Sequence, residues 1–499
     1  MKRILRLLGL LILALVAVLV VRTLTFRSRQ LVVAGAVPDA APVDVAAAAA
    51  RLGRAVQFPT VSTDDPAGRD PAPFLGLHAH LSESFPKTHA ALAREIVDGR
   101  SLLYTWRGAD PALAPAVLMG HMDVVPVEQK AGAAAGGTGW TEPPFSGRVQ
   151  GGFIWGRGTL DDKVAVLSIL EAVESLLAQS PGARPQRTVY LAFSHDEEVE
   201  GSSARLMAEM IKQRGPAPLM VLDEGMVITQ GLVMGVSRPV ALVGTAQKGY
   251  LTVELLAQGQ GGHSSMPPAH SAVGAVAAAV ERLEAHQLAP HLSGPANELF
   301  DFAGPEMALP LRLVMANRWL LGPVMKSILL SGPSTAAILR TTTAATMIQG
   351  GVKENVLPQS ARAVVNFRLV PGDSVKSVLE HVQATVADSS IAVKVLGAPI
   401  EPSHPADPGS PQFQILARSL REIEPETVVA PALMLGYADA HHYESMTPDV
   451  FRFLPVRLRS EDLARIHGTD ERVSLEDYGR CIRFYAQLLR NTALAAPAK

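Results

Sequence analysis

A chain of 499 residues, 48% hydrophobic and 18% charged, is too long for one ordinary core, so two domains are the default arrangement. A formal net charge of −2 with interspersed signs leaves no basic stripe for nucleic acid, which is excluded as a partner. The single cysteine, Cys481, rules out an internal disulfide and a thiolate zinc cluster, so any metal must be held by histidines and carboxylates.

The N-terminus, MKRILRLLGLLILALVAVLVVRTLTFRSRQ, is a module of its own. Leu7 to Val21 is apolar apart from Gly9, and Ile4 and Leu5 extend the run to a short membrane span if Arg6 snorkels. Ala34 and Ala36 imitate a signal-cleavage site, but Arg22, Arg27 and Arg29 stand where a cleavable signal is normally neutral. An uncleaved membrane anchor over residues 1–35 is therefore expected, with the cleaved signal peptide as its alternative. Lys2, Arg3 and Arg6 balance the three later arginines, so charge does not orient the span; a periplasmic or otherwise extracytoplasmic catalytic domain is expected.

Beyond a Pro- and Ala-rich tether near residues 36–50, strand and helix signals alternate. PAVLMGH, RTVYLAFSHDEE and PLMVLDEG are short apolar runs ending in polar, acidic residues, and DDKVAVLSILEAVESLLAQ has helical periodicity. This is an α/β pattern with a mostly parallel sheet, whose chemistry collects at the carboxyl ends of the strands. Near Gln247 the texture changes. GYLTVELLAQG, SAVGAVAAAVERLEAH, AATMIQGGV, ARAVVNFRLV, DSVKSVLEHVQATVAD and IAVKVLGAP read strand, helix, strand, strand, helix, strand, the ferredoxin-like α+β order. The expected organisation is a catalytic domain in two parts, 45–246 and 403–499, interrupted at 247–402 by an inserted lid or dimerisation domain.

The chemistry sits at the ends of these runs. In GHMDVVP a strand ends on His121, and Asp123, two residues on, shares its face, as a carboxylate set to hold an imidazole should. Asp161 and Asp162 follow the glycine-rich turn of GRGTLDDK, Glu197 and Glu198 lie in HDEEVEG, Asp223 in LDEG and His467 in HGTDE. Any one of these alone would be an ordinary solvated acid or a structural histidine. Together they make a His and carboxylate set that suits zinc, and a metal pair 3.5–4 Å apart needs a shared carboxylate.

These motifs, in this order, resemble those of the dizinc aminoacylase and carboxypeptidase family of metallopeptidases, which includes succinyl-diaminopimelate desuccinylase and dipeptidases; the resemblance spans roughly residues 50–490. It implies two zinc ions, with cobalt or manganese as alternatives. His121 and Asp223 would bind one, Glu198 and His467 the other, and Asp161 would bridge them. Glu197 would be the general base, and Asp123 would orient His121. In the inserted domain, His263 of GQGGHSSMPP would donate to the tetrahedral oxyanion, often across a homodimer interface. Asn355 and Arg368, in GGVKENVLPQSARAVVNFRLVPGD, would contact the substrate, the arginine suiting a free carboxylate.

Within the family, FPTVS, DEGMV and ILRTTTAATMIQGGVKENVLP resemble carboxypeptidase S and the enzymes that hydrolyse or form N-fatty-acyl amino acids. The apolar stretch LPLRLVMANRWLLGPVMKSILL would then be an acyl-chain channel, or equally the lid's own core or a dimer face. One departure stands out. Where the family reads Gly-x-Thr-Asp-x-Arg, this chain has GYADAHHY, with Ala438 for the threonine and His441 for the arginine. The expected function is hydrolysis of the amide bond of N-acyl amino acids or of C-terminal residues of short peptides. The alternative is a membrane-anchored, non-catalytic binding protein on the same fold. No Gly-x-Ser-x-Gly elbow supports a serine hydrolase.

Overall fold

A computed structural model of the chain describes residues 1–33, 42–63, 65, 70–128, 139–292 and 294–494. Ala34, Ala36 and the expected tether as far as residue 41 lie outside the described residues; from Val45 the rest of that stretch is the start of the helix Val45–Val56.

The body is built on an eight-stranded mixed sheet. Its spatial order is Ala93–Val97, Ser101–Trp106, Val189–Ser194, Ala116–His121, Met220–Thr229, Val450–Leu458, Val240–Gln247 and Val428–Met434. The four strands at its centre, from 189–194 to 450–458, run parallel. The strand 116–121 is buried at every position, as its unbroken apolar run requires for a strand covered on both faces. The helix Lys163–Gln179 covers one face and buries almost its whole first three turns. Gly120 permits this packing, because a Cβ there would lie 2.8 Å from a carboxylate oxygen of Asp162. Register then aligns the strand ends: His121 pairs with Ser194, and Leu118 with Leu222 just before Asp223.

A second, antiparallel sheet has the order Thr342–Gly350, Ser360–Leu369, Gly249–Gln258, Ile391–Ile400, with helices Ala272–Ala285 and Val375–Val386 packed on it. Strand and helix order match the ferredoxin-like pattern, and its core, from Leu251 to Ile391, is separate from that of the main sheet.

Four helices, Pro295–Ala303, Leu309–Ala316, Arg318–Leu330 and Pro333–Leu339, interrupt that pattern. They do not complete the second sheet's core. Phe302, Met307, Met315 and Met325 join the main core instead, with Phe302 set edge-on against Phe413 at 6.0 Å. The helix Lys2–Thr25 is exposed along its length except at Thr23, which is buried, and Leu19, which is half-buried, and it alone among the described helices is long and apolar enough to cross a membrane unbroken.

Candidate metal centre

Three neighbouring strands and two loops converge: His121 ends its strand, Glu197 and Glu198 follow Val189–Ser194, and Asp223 lies inside Met220–Thr229, which continues beyond the end expected from PLMVLDEG. His121 is buried, with Nε2 2.9 Å from Asp161 Oδ1. Asp161 Oδ2 lies 3.0 Å from His467 Nε2, and Glu198 Oε2 lies 3.1 Å from the same nitrogen. Asp161 thus stands between two imidazoles contributed from opposite ends of the sequence. Burial pushes its carboxyl up, but the bonds to His121 and His467 outweigh this and hold it well below the usual carboxylate range. Those on Asp161 and Glu198 raise the His467 imidazole to about 10.

Asp123 is fully buried beneath His121. Its backbone carbonyl lies 3.0 Å from His121 Nδ1 and its carboxylate 3.4 Å from the same atom. The carboxylate also accepts the backbone N–H groups of Glu197 and Glu198, at 3.3 and 3.2 Å. One aspartate therefore sets both the imidazole and the acidic pair.

Asp223 is buried on the neighbouring strand, and its two oxygens accept the amides of Glu224 (2.9 Å) and Ala440 (2.8 Å). Glu197 lies on a cavity of about 380 Å³, together with Asp161, Glu198, His467 and Arg368. Burial, then the carboxylates of Asp439, Glu224 and Asp161, push the Glu197 carboxyl well above the usual range.

Three residues that hold the site stand inside the quoted motifs, Arg157 in GRGTLDDK, Glu224 in LDEG and Glu471 in HGTDE, but nothing in their spacing gave them a role. Glu471 is fully buried; Oε1 accepts the amides of Gly158 (2.9 Å), Leu160 (2.8 Å) and Asp161 (3.2 Å), and Oε2 pairs with Arg157 Nη1 at 2.6 Å. Arg157 also donates to the carbonyl of His467 at 3.0 Å, so this pair ties the Asp161 loop to the His467 loop. The third, Glu224, faces the cavity because the strand register slips there: Asp223 pairs with Arg452, but Val227 pairs with Leu454, and Gly225 at φ +130° takes up the slack. Simple alternation would have pointed Glu224 to the face opposite Asp223.

His263 and Asn355 are not brought to this cluster. Both are exposed on the second sheet's side, where Gly262–His263 pairs with Val356–Leu357 and Ser264 N–H donates to the Asn355 carbonyl. Arg368 does reach the cavity, its guanidinium 4.5 Å over the Tyr250 ring. His441 lies against His442 with ring centroids 3.7 Å apart and planes tilted by 44°; burial and that neighbour push its imidazole down to about 3, so it carries no charge at neutral pH.

The donor set fits a divalent metal. His121, Asp161 and Glu198 each offer an atom within 4.8 Å of the others, and Glu198 Oε1 is buried with no partner. Buried carboxyls of Glu197, Glu198, Asp223 and Glu224 crowd this spot and are all raised by burial, a repulsion that cations relieve. Residues 117–491 match peptidase family M20/M25/M40.

The chain belongs to that family.

It is a metal-dependent amide hydrolase of the M20 type. A probable carboxypeptidase S-like protein 2 of Dictyostelium discoideum is 38% identical over 97% of this chain and 93% of its own length. The N-fatty-acyl-amino acid synthase/hydrolase PM20D1 of Xenopus tropicalis is 38% identical over 88% of this chain and 85% of its own. Among solved structures, the M20 metallo-carboxypeptidase Sso-CP2 of Sulfolobus solfataricus has the same fold, with a TM-score of 0.62 at 18% identity, covering 89% of this chain and 98% of that one.

Proposed function

We propose that this M20 hydrolase cleaves the amide bond of N-acyl amino acids, N-fatty-acyl ones included, whose amino-acid part ends in a free carboxylate. The observation that carries this is the mixed lining of the cavity. Asp161, Glu197, Glu198 and His467 line it together with Arg368 and an apolar wall, in which Leu454, Val456 and Leu458 are alternate residues on one face of a strand, Val227 pairs with Leu454, and Ile466 adds to them. An apolar acyl chain gains about 25 cal/mol per Å² when it leaves water for such a wall. The stretch from Leu313 to Leu329 (Leu313, Val314, Trp319, Leu320, Leu321, Val324, Met325, Ile328, Leu329) lines none of this cavity, so the acyl-binding role passes to the strand residues.

His121 and Asp223 would hold one zinc ion and Glu198 and His467 a second, with Asp161 shared between them; cobalt or manganese suits the same donors. A metal pair there would supply an acidified water and a polarised amide carbonyl. Glu197, whose carboxyl burial pushes well above the usual range and so makes it a stronger base than an exposed carboxylate, removes the proton from water and passes it to the leaving nitrogen. Asp123 keeps His121 and the Glu197 backbone in place for this. Arg368 binds the substrate carboxylate through its two-pronged donor set, a task His441, uncharged, leaves to it. His263 and Asn355 would meet a substrate only in the cavity of another copy, in a homodimer joined through the second sheet. The N-terminal helix would anchor the chain with its catalytic body outside the cytoplasm.

The test is release of free phenylalanine from N-oleoyl-phenylalanine and from Gly-Phe, using the full chain in detergent with zinc, with and without chelator. Chelator-sensitive cleavage of the oleoyl substrate is expected. Cleavage of Gly-Phe alone would assign the enzyme to short peptides, and no bound metal with no turnover would make it a binding protein.

A further inference from the structure

The Arg318–Leu330 helix is apolar on two separate faces. Met325 packs into the main core, while Leu320, Val324 and Ile328, spaced at i, i+4 and i+8 and about 100° round the helix from it, form an exposed stripe. Val324 and Ile328 are each 60% exposed, and Trp319 at the start of the helix is 56% exposed. Leu309, at the start of the preceding helix, is 66% exposed. Such a helix is only half satisfied in water.

The position of the stripe identifies its occupant. The two helices of the pair, Leu309–Ala316 and Arg318–Leu330, meet at Asn317 with a bend of 112°. That corner grips the N-terminal helix: Asn317 Nδ2 donates to the Leu19 carbonyl and to Thr23 Oγ1, each at 3.2 Å, and Arg22 Nε donates to the Ala316 carbonyl at 3.2 Å. A further clamp runs from Arg312 to the Phe26 carbonyl at 2.7 Å. A helix rises about 1.5 Å per residue and a bilayer's hydrocarbon is about 30 Å thick, so a span entering near Lys2 leaves the hydrocarbon about 20 residues later. The gripped turn, Leu19–Thr23, is at that depth. Arg22 and Trp319, residue types that settle at the headgroup level, line one cleft at the junction, together with Arg318, which is ion-paired there with Asp301.

We propose that the bent helix pair is a second membrane-contacting element. Its Trp319, Leu320, Val324 and Ile328 edge lies in the interface of the bilayer that the N-terminal helix spans, and it fixes the catalytic body against the lipid at one orientation. The inference rests on the reading of the N-terminal helix as a membrane span and is independent of which amide is cleaved.

The test uses the full chain reconstituted in phosphatidylcholine–phosphatidylglycerol vesicles, with tryptophan emission read against lipids brominated on their acyl chains and against aqueous iodide. The Trp319→Phe variant isolates the signal of that residue from the other three tryptophans. The emission lost in Trp319→Phe is expected to be quenched by brominated lipid and spared by iodide. In Val324→Glu/Ile328→Glu the chain should still float with vesicles while that lipid quenching is lost. Quenching of Trp319 by iodide and not by brominated lipid would place the patch in water and overturn the proposal. Quenching by neither would mean that protein covers it, such as a second copy, and would overturn it equally. Failure of the wild-type chain to float with vesicles would overturn both the span and the proposal, whatever substrate the enzyme cleaves.

Discussion

The ends of the central strands and the loops of the second sheet offered equally recognisable motifs, yet only the first set comes together. His121, Glu197, Glu198 and Asp223 follow neighbouring parallel strands whose register is set by a shared core, so residues about 100 positions apart end within one cluster. His263 and Asn355 sit on a short two-stranded ladder beside a sheet with its own core, and nothing in this chain carries them to the cluster. Arg368 belongs to that second sheet too but lies at the end of Ser360–Leu369, where the sheet meets the main body, and it reaches the cavity. A site residue is placed by the core its element belongs to, and a motif outside that core needs another copy or a moving layer.

Variants can break this contrast, and the largest effect belongs to Glu197. Glu197→Gln should lower kcat about 10²- to 10⁴-fold with metal content and thermal midpoint unchanged. An equal loss of metal, seen by elemental analysis, would make Glu197 a ligand instead. Next comes Glu471→Ala, which strands Arg157 in the interior and frees three amides; chemical denaturation should show about 3–5 kcal/mol of lost stability. Little change in midpoint would show that the two loops are held by other bonds. Arg368→Met should raise KM about 10- to 100-fold for a carboxylate substrate and hardly alter turnover of the matching carboxamide. For His263→Ala the contrast predicts lost activity only in a dimer, so sedimentation and kcat measured together would sharpen it: a monomer unaffected by the change would leave His263 a surface residue.

The smallest effect is a pH slope. His441 is depressed from an ordinary value near 6.5 to about 3 by burial and His442. As pH falls below 6.5 the unfolded chain takes up a proton that the folded chain refuses, so stability present above that pH is lost down to about 3. His441→Asn should flatten this part of an acid-unfolding curve and leave stability above pH 7 alone. An unchanged slope would show that His442, pushed down to about 4 by its own burial, dominates it.

The residues themselves placed candidate histidines and acidic pairs at strand ends and in glycine-bearing turns, short-range signals that survive in one dimension, and the family resemblance selected His121, Asp161, Glu198 and His467 among them. Those four meet at hydrogen-bonding distances. The strand–helix–strand–strand–helix–strand order of the second sheet was equally plain. Glu224 was not legible, because a slip in pairing with Leu454, more than 200 residues away, turns it into the cavity. Glu471 and Arg157 look like surface charges until the fold buries them together under the Asp161 loop.

The apolar stretch between Leu309 and Leu330 divides the two levels most clearly. Its composition by itself established that these helices must find an apolar partner. Only the tertiary structure decided which: one face joins the main core through Met315 and Met325, and the corner at Asn317 closes on the N-terminal helix. Hydrophobicity is not directional, so a sequence states how much surface must leave water, whereas the hydrogen bonds and close packing that choose the neighbour exist only once the distant segments have met.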